Sequence, residues 1–270
     1  MLITNQTKLN MVIGYPLTHT KSPLLHNTVY EALNINAVLL AFPHESVASL
    51  ISSIKTLSVG LTAVTMPFKE AVLPYLDVRN PEVDALKAVN TLIQTEGHLK
   101  GFNTDVDGIE FALRDVAIKS KNVLLMGAGG AARAAAYLLQ KKKANIFWFN
   151  RTVERAKKLS KEFGGEILDQ KEIETKTFDI IIHTTPLGMY PDQDKTPLPD
   201  YPFQKNQVVF DMVYNPLHTK LLIDAKSKGA KIISGLEMFI GQGLRQIELW
   251  TEQTFMNDNL LKKIKTVLTR

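Results

Sequence analysis

Val123-Leu124-Leu125-Met126-Gly127-Ala128-Gly129-Gly130-Ala131-Ala132-Arg133 is the stretch on which the fold turns. Four apolar residues are followed at once by G-x-G-x-x-A spacing and then by a helical pattern running to Gln140. So short an apolar run, bounded by a turn, reads as a buried strand. Gly127 suits the tight turn, and Gly129 lets a pyrophosphate approach the amides at the helix N-terminus. Ala132 takes the third position, where helix and strand pack closely. The strand–turn–helix unit reads as a dinucleotide site, with Gly127, Ala128, Gly129, Gly130 and Ala131 as contacts.

The next strand, Asn145–Phe149, ends in Asn150-Arg151-Thr152, about where an acidic side chain would grip the ribose of NAD. No acid stands there. Arg151 and Arg155 are instead placed to meet a 2′-phosphate, because a guanidinium fork matches phosphate oxygens. The cofactor expected is therefore NADP (NADPH), with Asn150, Arg151, Thr152 and Arg155 on its adenosine side. These arginines belong to a basic segment. Residues 114–161 hold twelve Lys or Arg against Asp115 and Glu154, while the whole chain carries +5. Such a segment suits nucleic acid, a phosphorylated small molecule or a solvated helix face. The phosphate reading accounts for much of it.

Outward from this core, short apolar runs alternate with helical stretches. Met11–Ile13, Ala37–Ala41, Leu61–Thr65, Asp179–His183, Val208–Asp211 and Lys231–Ile233 read as further strands. Ser22–Leu33 reads as a helix capped by Ser22, with Pro23 at its first position. Thr91–Gln94 and Leu99–Phe102 read as a hairpin turning at Glu96-Gly97. The alternation argues for an α/β protein of two domains: an α/β substrate-binding domain, and a Rossmann-like doubly wound dinucleotide-binding domain, with a cleft between them. Seams near Thr104–Asp107 and Gly235–Gln242 suggest residues 1–105, completed by C-terminal helices over 241–270, as the substrate domain. Residues 106–240 form the inserted NADP-binding domain.

The 270 residues are 45% hydrophobic and 22% charged, which excludes disorder, collagen and a coiled coil. With no cysteine, disulfides, a thiol nucleophile and thiolate-bound zinc are excluded too. The six histidines form no H-E-x-x-H or H-x-H pair, so no metal site is expected. No apolar run reaches the ~18–20 residues needed to span a bilayer, and no secretion signal is read at the N-terminus. A cytoplasmic protein acting on a small molecule, without membrane or nucleic-acid partner, is the expectation. A monomer and a homodimer both fit.

Three strings in the first half carry polar groups at strand ends and turns. They are Gly14-Tyr15-Pro16-Leu17-Thr18-His19-Thr20-Lys21-Ser22-Pro23, Val64-Thr65-Met66-Pro67-Phe68-Lys69, and Ala88-Val89-Asn90-Thr91 together with Gly101-Phe102-Asn103-Thr104-Asp105. With the glycine turn, Asn150-Arg151-Thr152, Asp211-Met212-Val213-Tyr214 and Gly235–Gln242, they resemble the shikimate dehydrogenase family from about Gly14 to Gln242. The resemblance implies reversible NADPH-dependent reduction of 3-dehydroshikimate to shikimate, within aromatic amino acid (chorismate) biosynthesis. It implies Lys69 and Asp105 as the catalytic pair. Thr20, Ser22, Thr65, Asn90, Tyr214 and Gln242 would join them as substrate contacts, with Met212 and Gly235 near the nicotinamide. Two positions depart from the family pattern. Thr20 stands where Ser is usual, and His183-Thr184-Thr185-Pro186 replaces a family N-A-T-P.

The residues suit the chemistry. Hydride transfer to a ketone leaves negative charge on oxygen, which needs a cation or proton donor within hydrogen-bond reach. Lys69 supplies one without a metal, and Asp105 can orient its ammonium. Alternatives are a quinate/shikimate dehydrogenase, and a non-catalytic dinucleotide sensor on the same scaffold. Asn150 counts against the NAD preference tied to the first, and the retained lysine–aspartate pair against the second.

Overall fold

The computed structural model describes residues 2–255 and 257–270. The chain divides into two compact units, Met1–Thr104 with Gln242–Arg270, and Asp105–Gly241. The first unit opens with β1 (Lys8–Gly14), α1 (Ser22–Ala32), β2 (Ala37–Pro43), α2 (Val47–Thr56) and β3 (Leu61–Val64). A tight turn at Leu73–Tyr75 leads to β4 (Val78–Arg79), α3 (Pro81–Leu86), β5 (Thr91–Thr95) and β6 (His98–Phe102). Its sheet runs β2-β1-β3-β5-β6-β4. β1 is parallel to β2 and β3, whereas β5 is antiparallel to both β3 and β6. Glu96 (φ 52°) and Gly97 (φ 82°) are both left-handed, as a two-residue hairpin turn requires. Met11, Ile13, Val64, Leu92 and Leu99 form the sheet's side of a core closed by Ile51 and Ile54 of α2.

The second unit contains α4 (Asp105–Ala112), β7 (Asn122–Met126), α5 (Gly130–Lys141), β8 (Asn145–Phe149), α6 (Val153–Phe163) and β9 (Glu166–Ile167). It continues through α7 (Gln170–Thr175), β10 (Ile180–His183), β11 (Val208–Asp211), α8 (Lys220–Ser227) and β12 (Lys231–Ser234). All its strands are parallel, in the order β12-β11-β10-β7-β8-β9. Numbered from β7, that is the order 6-5-4-1-2-3 of a dinucleotide-binding Rossmann sheet, which reverses between β7 and β10. Loops at the carboxyl ends diverge at this switch point and leave a crevice for ligands. Both faces of such a sheet are covered, so Val123–Met126 of β7 and Ile180–Ile182 of β10 are apolar and buried, with buried His183 closing β10. Helix α9 (Gly235–Thr251) gives its first residues to this unit and the remainder to the first. Finally α10 (Asp258–Leu268), capped by the Asn257 side chain, packs on α1.

Two local readings need correction. The cap of α1 is Lys21, which makes no side-chain capping bond, and Ser22 is the first helical residue. Pro23 fits one place later because the first helical amides lack intrahelical partners anyway. The edge strands β4 and β9 escape the sequence reading: each is two residues long, too short to show a hydrophobic period. No helix of the described residues is long and apolar enough to cross a membrane.

Candidate functional site

In the first unit, backbone hydrogen bonds bring three separate strings together. Thr65, just past β3, donates its amide to Ile13 at 2.9 Å, and Tyr15 donates to Met66 at 3.1 Å. Val89 donates to the Lys69 carbonyl at 2.7 Å, and Asn90 to Phe102 at 3.1 Å. Gly14 sits so close to this crossing that a Cβ would lie 2.8 Å from the Met66 carbonyl oxygen. Lys69, Asn90 and Thr104 thus rise from one patch of backbone, although up to 35 residues separate them in sequence. Asp105 follows directly, as the first residue of α4.

Side chains lock the patch. The buried Asn90 carboxamide donates to the Thr104 hydroxyl at 3.0 Å, and accepts from the Thr104 amide (2.8 Å) and the Thr91 hydroxyl (2.7 Å). From α9, Gln246 donates to the Asn90 carbonyl (3.1 Å) and to Thr91 Oγ1 (3.0 Å). Gln246 lies one helical turn beyond Gln242, so both project from a similar side of the helix. The opening of α1 adds hydroxyls. Thr20 Oγ1 accepts the Ser22 amide at 3.4 Å, and the Ser22 side chain is spared the capping role. Behind them His26 is fully buried and its Nδ1 donates to the Ser22 carbonyl at 2.9 Å. Burial lowers its pKa to about 4, although the Ser22 carbonyl opposes the shift.

The second unit builds with main chain. Gly127 adopts φ +116°, open to few side chains, and a Cβ there would run into Thr184 Oγ1. Its amide donates to the Phe149 carbonyl at 2.9 Å, which ties the glycine turn to the end of β8. Around Gly129 and Gly130 a Cβ would meet nothing within 4 Å. Helix α5 has no side-chain cap and no acidic residue in its first turn. Its leading amides and positive dipole end therefore face open space, a cradle for an anion. Beside it, Asn150 Nδ2 donates to the Thr152 carbonyl at 2.7 Å and shapes the turn that exposes Arg151. Arg155 lies in the first turn of α6, also exposed. A cation at a helix N-terminus opposes the dipole. Two there make sense where a dianionic phosphate is to be met.

Beyond β11, Tyr214 stacks on Phe239 with ring centroids 5.1 Å apart, and burial raises its pKa. Gly235 approaches the Met212–Val213 backbone so closely that a Cβ would collide with the Met212 carbonyl. Met212 in turn donates its amide to the His183 carbonyl at 2.9 Å. Met212, Tyr214 and Gly235 are thus gathered at the carboxyl ends of β10 to β12. Among the described residues no cluster of His, Cys, Asp and Glu is suited to a metal ion.

Residues 12–92 match the model of the shikimate dehydrogenase substrate binding domain, and residues 110–189 that of shikimate / quinate 5-dehydrogenase. The chain is 41% identical to the shikimate dehydrogenase (NADP(+)) of Carboxydothermus hydrogenoformans, over 93% of this chain and 94% of that one. The chain belongs to the shikimate dehydrogenase family. Solved structures of shikimate dehydrogenases agree. That from Aquifex aeolicus superposes with a TM-score of 0.91 at 34% identity, covering all of both chains. That from Thermus thermophilus, in complex with NADP(H) and shikimate, gives 0.88 at 31% identity over 96% of this chain and 99% of that one.

The motifs pointed to polar residues at strand ends and turns, and overlooked the buried partners that hold them in place. Thr104 sits inside the Gly101–Asp105 string without a role assigned to it, and Gln246 and His26 were given none. Gln246 had one available signal, a second glutamine one turn after Gln242 on a helix otherwise rich in apolar residues. His183, Asp211 and Thr219 form a buried chain, extended to the half-buried Thr185, that no local spacing announces.

Proposed function

We propose that this chain catalyses the reversible NADPH-dependent reduction of 3-dehydroshikimate to shikimate, a step toward chorismate and the aromatic amino acids. The observation that carries the reading is the glycine cradle at the switch point, with the arginine-bearing turn tied beside it. NADPH, when bound, supplies the hydride. Gly127, Ala128, Gly129, Gly130 and Ala131 receive the pyrophosphate on backbone amides, while Asn150, Arg151, Thr152 and Arg155 take the 2′-phosphate. Met212 and Gly235 flank the nicotinamide. Residues 106–240 act as the cofactor domain, and residues 1–105 with 241–270 as the substrate domain.

The substrate carboxylate is held by the Thr20 and Ser22 hydroxyls, and its ring hydroxyls by Thr65, Asn90, Tyr214 and Gln242. Lys69 faces the reacting oxygen and stabilises its developing negative charge, and Asp105 orients the ammonium. No metal is needed. The basic segment supports a small-molecule role over a nucleic-acid one. Arg133 pairs with Glu162, Lys121 with Asp179, Lys142 with Glu110 and Lys157 with Glu154, so much of its charge is neutralised internally. The protein is read as a monomer or a homodimer working in the cytoplasm.

The experiment is direct. Purified protein mixed with shikimate and NADP should generate the absorbance of reduced nicotinamide, and far less with NAD. No reduction with either dinucleotide would sink the proposal.

A further inference from the structure

The family's asparagine at the end of β10 is here His183, whose ring reaches farther and offers a nitrogen on each side. His183 Nδ1 lies 3.0 Å from Asp211 Oδ1, and Nε2 lies 2.6 Å from Thr185 Oγ1. Neither the imidazole nor the carboxylate has any exposed side-chain surface. The rest of the network decides where the protons are. Asp211 accepts the Thr219 hydroxyl on Oδ2 at 2.6 Å and the Val213 amide on Oδ1 at 3.0 Å. Thr219 caps α8 by accepting the Leu222 amide, so its own proton goes to the carboxylate. A carboxylate ringed by donors is an acceptor, and Nδ1 must therefore carry hydrogen. In a ring that carries one proton, Nε2 is then the lone pair, and the Thr185 hydroxyl is the donor directed at it.

Thr185 Oγ1 also receives the Leu187 amide at 3.3 Å. Its single proton is committed to the ring, so toward a ligand it offers only an acceptor. The residue stands at the mouth of the glycine turn. A Cβ on Gly127 would lie 3.1 Å from Thr185 Cγ2, and Thr185 is half-buried. We propose that His183 is a positioning residue: braced by Asp211, it turns the Thr185 hydroxyl so that its oxygen accepts a hydrogen bond from an amide or hydroxyl of the bound dinucleotide. The inference rests on the reading that this unit holds NADP(H).

Two measurements test it. The first needs no cofactor: ring-nitrogen NMR of ¹⁵N-labelled protein should contain a neutral Nδ1–H histidine that is lost in His183→Asn. Its Nε2 resonance should shift in Thr185→Val. An Nε2–H tautomer or a doubly protonated ring for His183 overturns the proposal. The second is NADP affinity, read by titration of intrinsic fluorescence in variants of verified thermal stability. Thr185→Ser should bind within about twofold of wild type, whereas Thr185→Val and His183→Asn should each weaken binding roughly three- to tenfold, the value of one neutral hydrogen bond. Because His183 acts through the hydroxyl, adding His183→Asn to Thr185→Val should cost nothing more. Additive losses overturn the proposal. Wild-type protein that binds no NADP would overturn the cofactor reading instead, leaving the tautomer to judge the positioning role. If His183→Asn does not fold, the wild-type tautomer and the Thr185 Ser/Val pair still decide.

Discussion

Each unit carries a six-stranded sheet, but the two present polar chemistry by different means. The first, with its mixed sheet, uses side chains held by other side chains: Asn90 locked by Thr91 and Thr104, and these backed by Gln246 from α9. The second, all parallel, uses main chain: an uncapped helix start and glycines that leave room before it. The contrast matches the ligands proposed. A small polyhydroxy acid has directional hydroxyls that must be told apart, which needs individually aimed groups. A pyrophosphate is a compact anion, and converging amides with a helix dipole serve it without side chains. Substitutions should therefore separate the halves cleanly.

The largest separation is expected at the proposed catalytic pair. Lys69→Ala or Asp105→Ala should leave a folded protein whose NADP affinity is unchanged but whose turnover falls by ~10²–10⁴-fold, the usual worth of acid–base assistance. Steady-state kinetics beside a binding titration would show it, and near-wild-type turnover in Lys69→Ala would remove that residue from the mechanism.

The converse comes from the second unit. Arg151→Ala removes a charge-assisted contact worth ~1.5–3 kcal/mol, so the NADP dissociation constant should rise roughly ten- to a hundredfold. Affinity for NAD and the melting temperature should hold. If the NADP/NAD ratio stays put, some other residue reads the phosphate.

The third contrast concerns acid. His26 belongs to the first unit and titrates near 6.5 when unfolded but at about 4 when folded. The unfolded chain thus binds the extra proton first as pH drops. The stability His26 contributes is complete above pH 6.5 and is lost as pH falls toward 4, amounting to ~2 kcal/mol at pH 5. Urea unfolding of wild type and His26→Gln at pH 7.5 and pH 5 should show the stability gap between them shrinking by about that amount. A gap independent of pH would mean that the folded histidine is not held neutral.

The smallest effect is expected at Thr20. Its methyl stands beside the hydroxyl assigned to the substrate carboxylate. Quinate differs from shikimate in carrying a tetrahedral carbon and an added hydroxyl at that place, so the methyl should crowd it. Thr20→Ser should improve the quinate-to-shikimate ratio of kcat/KM by roughly fivefold, the result of relieving ~1 kcal/mol. An unchanged ratio would leave the methyl without a part in discrimination.

Legibility followed the distance over which each feature is encoded. The strand, glycine turn and helix over 123–140 lie in one continuous stretch, and so does the hairpin at Glu96-Gly97, where left-handed backbone selects the residues. The string Val64–Lys69 announced polar groups at a strand end because it runs from the strand into the turn. Ser22 misled, since the same residue type serves as a cap or as an early helical residue. Backbone angles at Lys21 settle which.

By itself, then, the sequence determined what is local and periodic: which runs are strands, where the anion cradle lies, which turn carries the arginines, and which residue types stand ready for chemistry. Only the tertiary structure decided what depends on neighbours brought from afar. It set the β5–β6 hairpin antiparallel beside β3, and it laid β10 against β7 so that His183 pairs with Met126 and Gly127 packs against Thr184 at the reversal of the sheet. It joined His183 to Asp211 across 28 residues and Gln246 to Asn90 across 156. A local pattern reports burial and turn geometry because backbone sterics act within a few residues. The partner of a buried polar group is chosen by long-range packing, and any of several threonines, asparagines or glutamines could have satisfied the same donor.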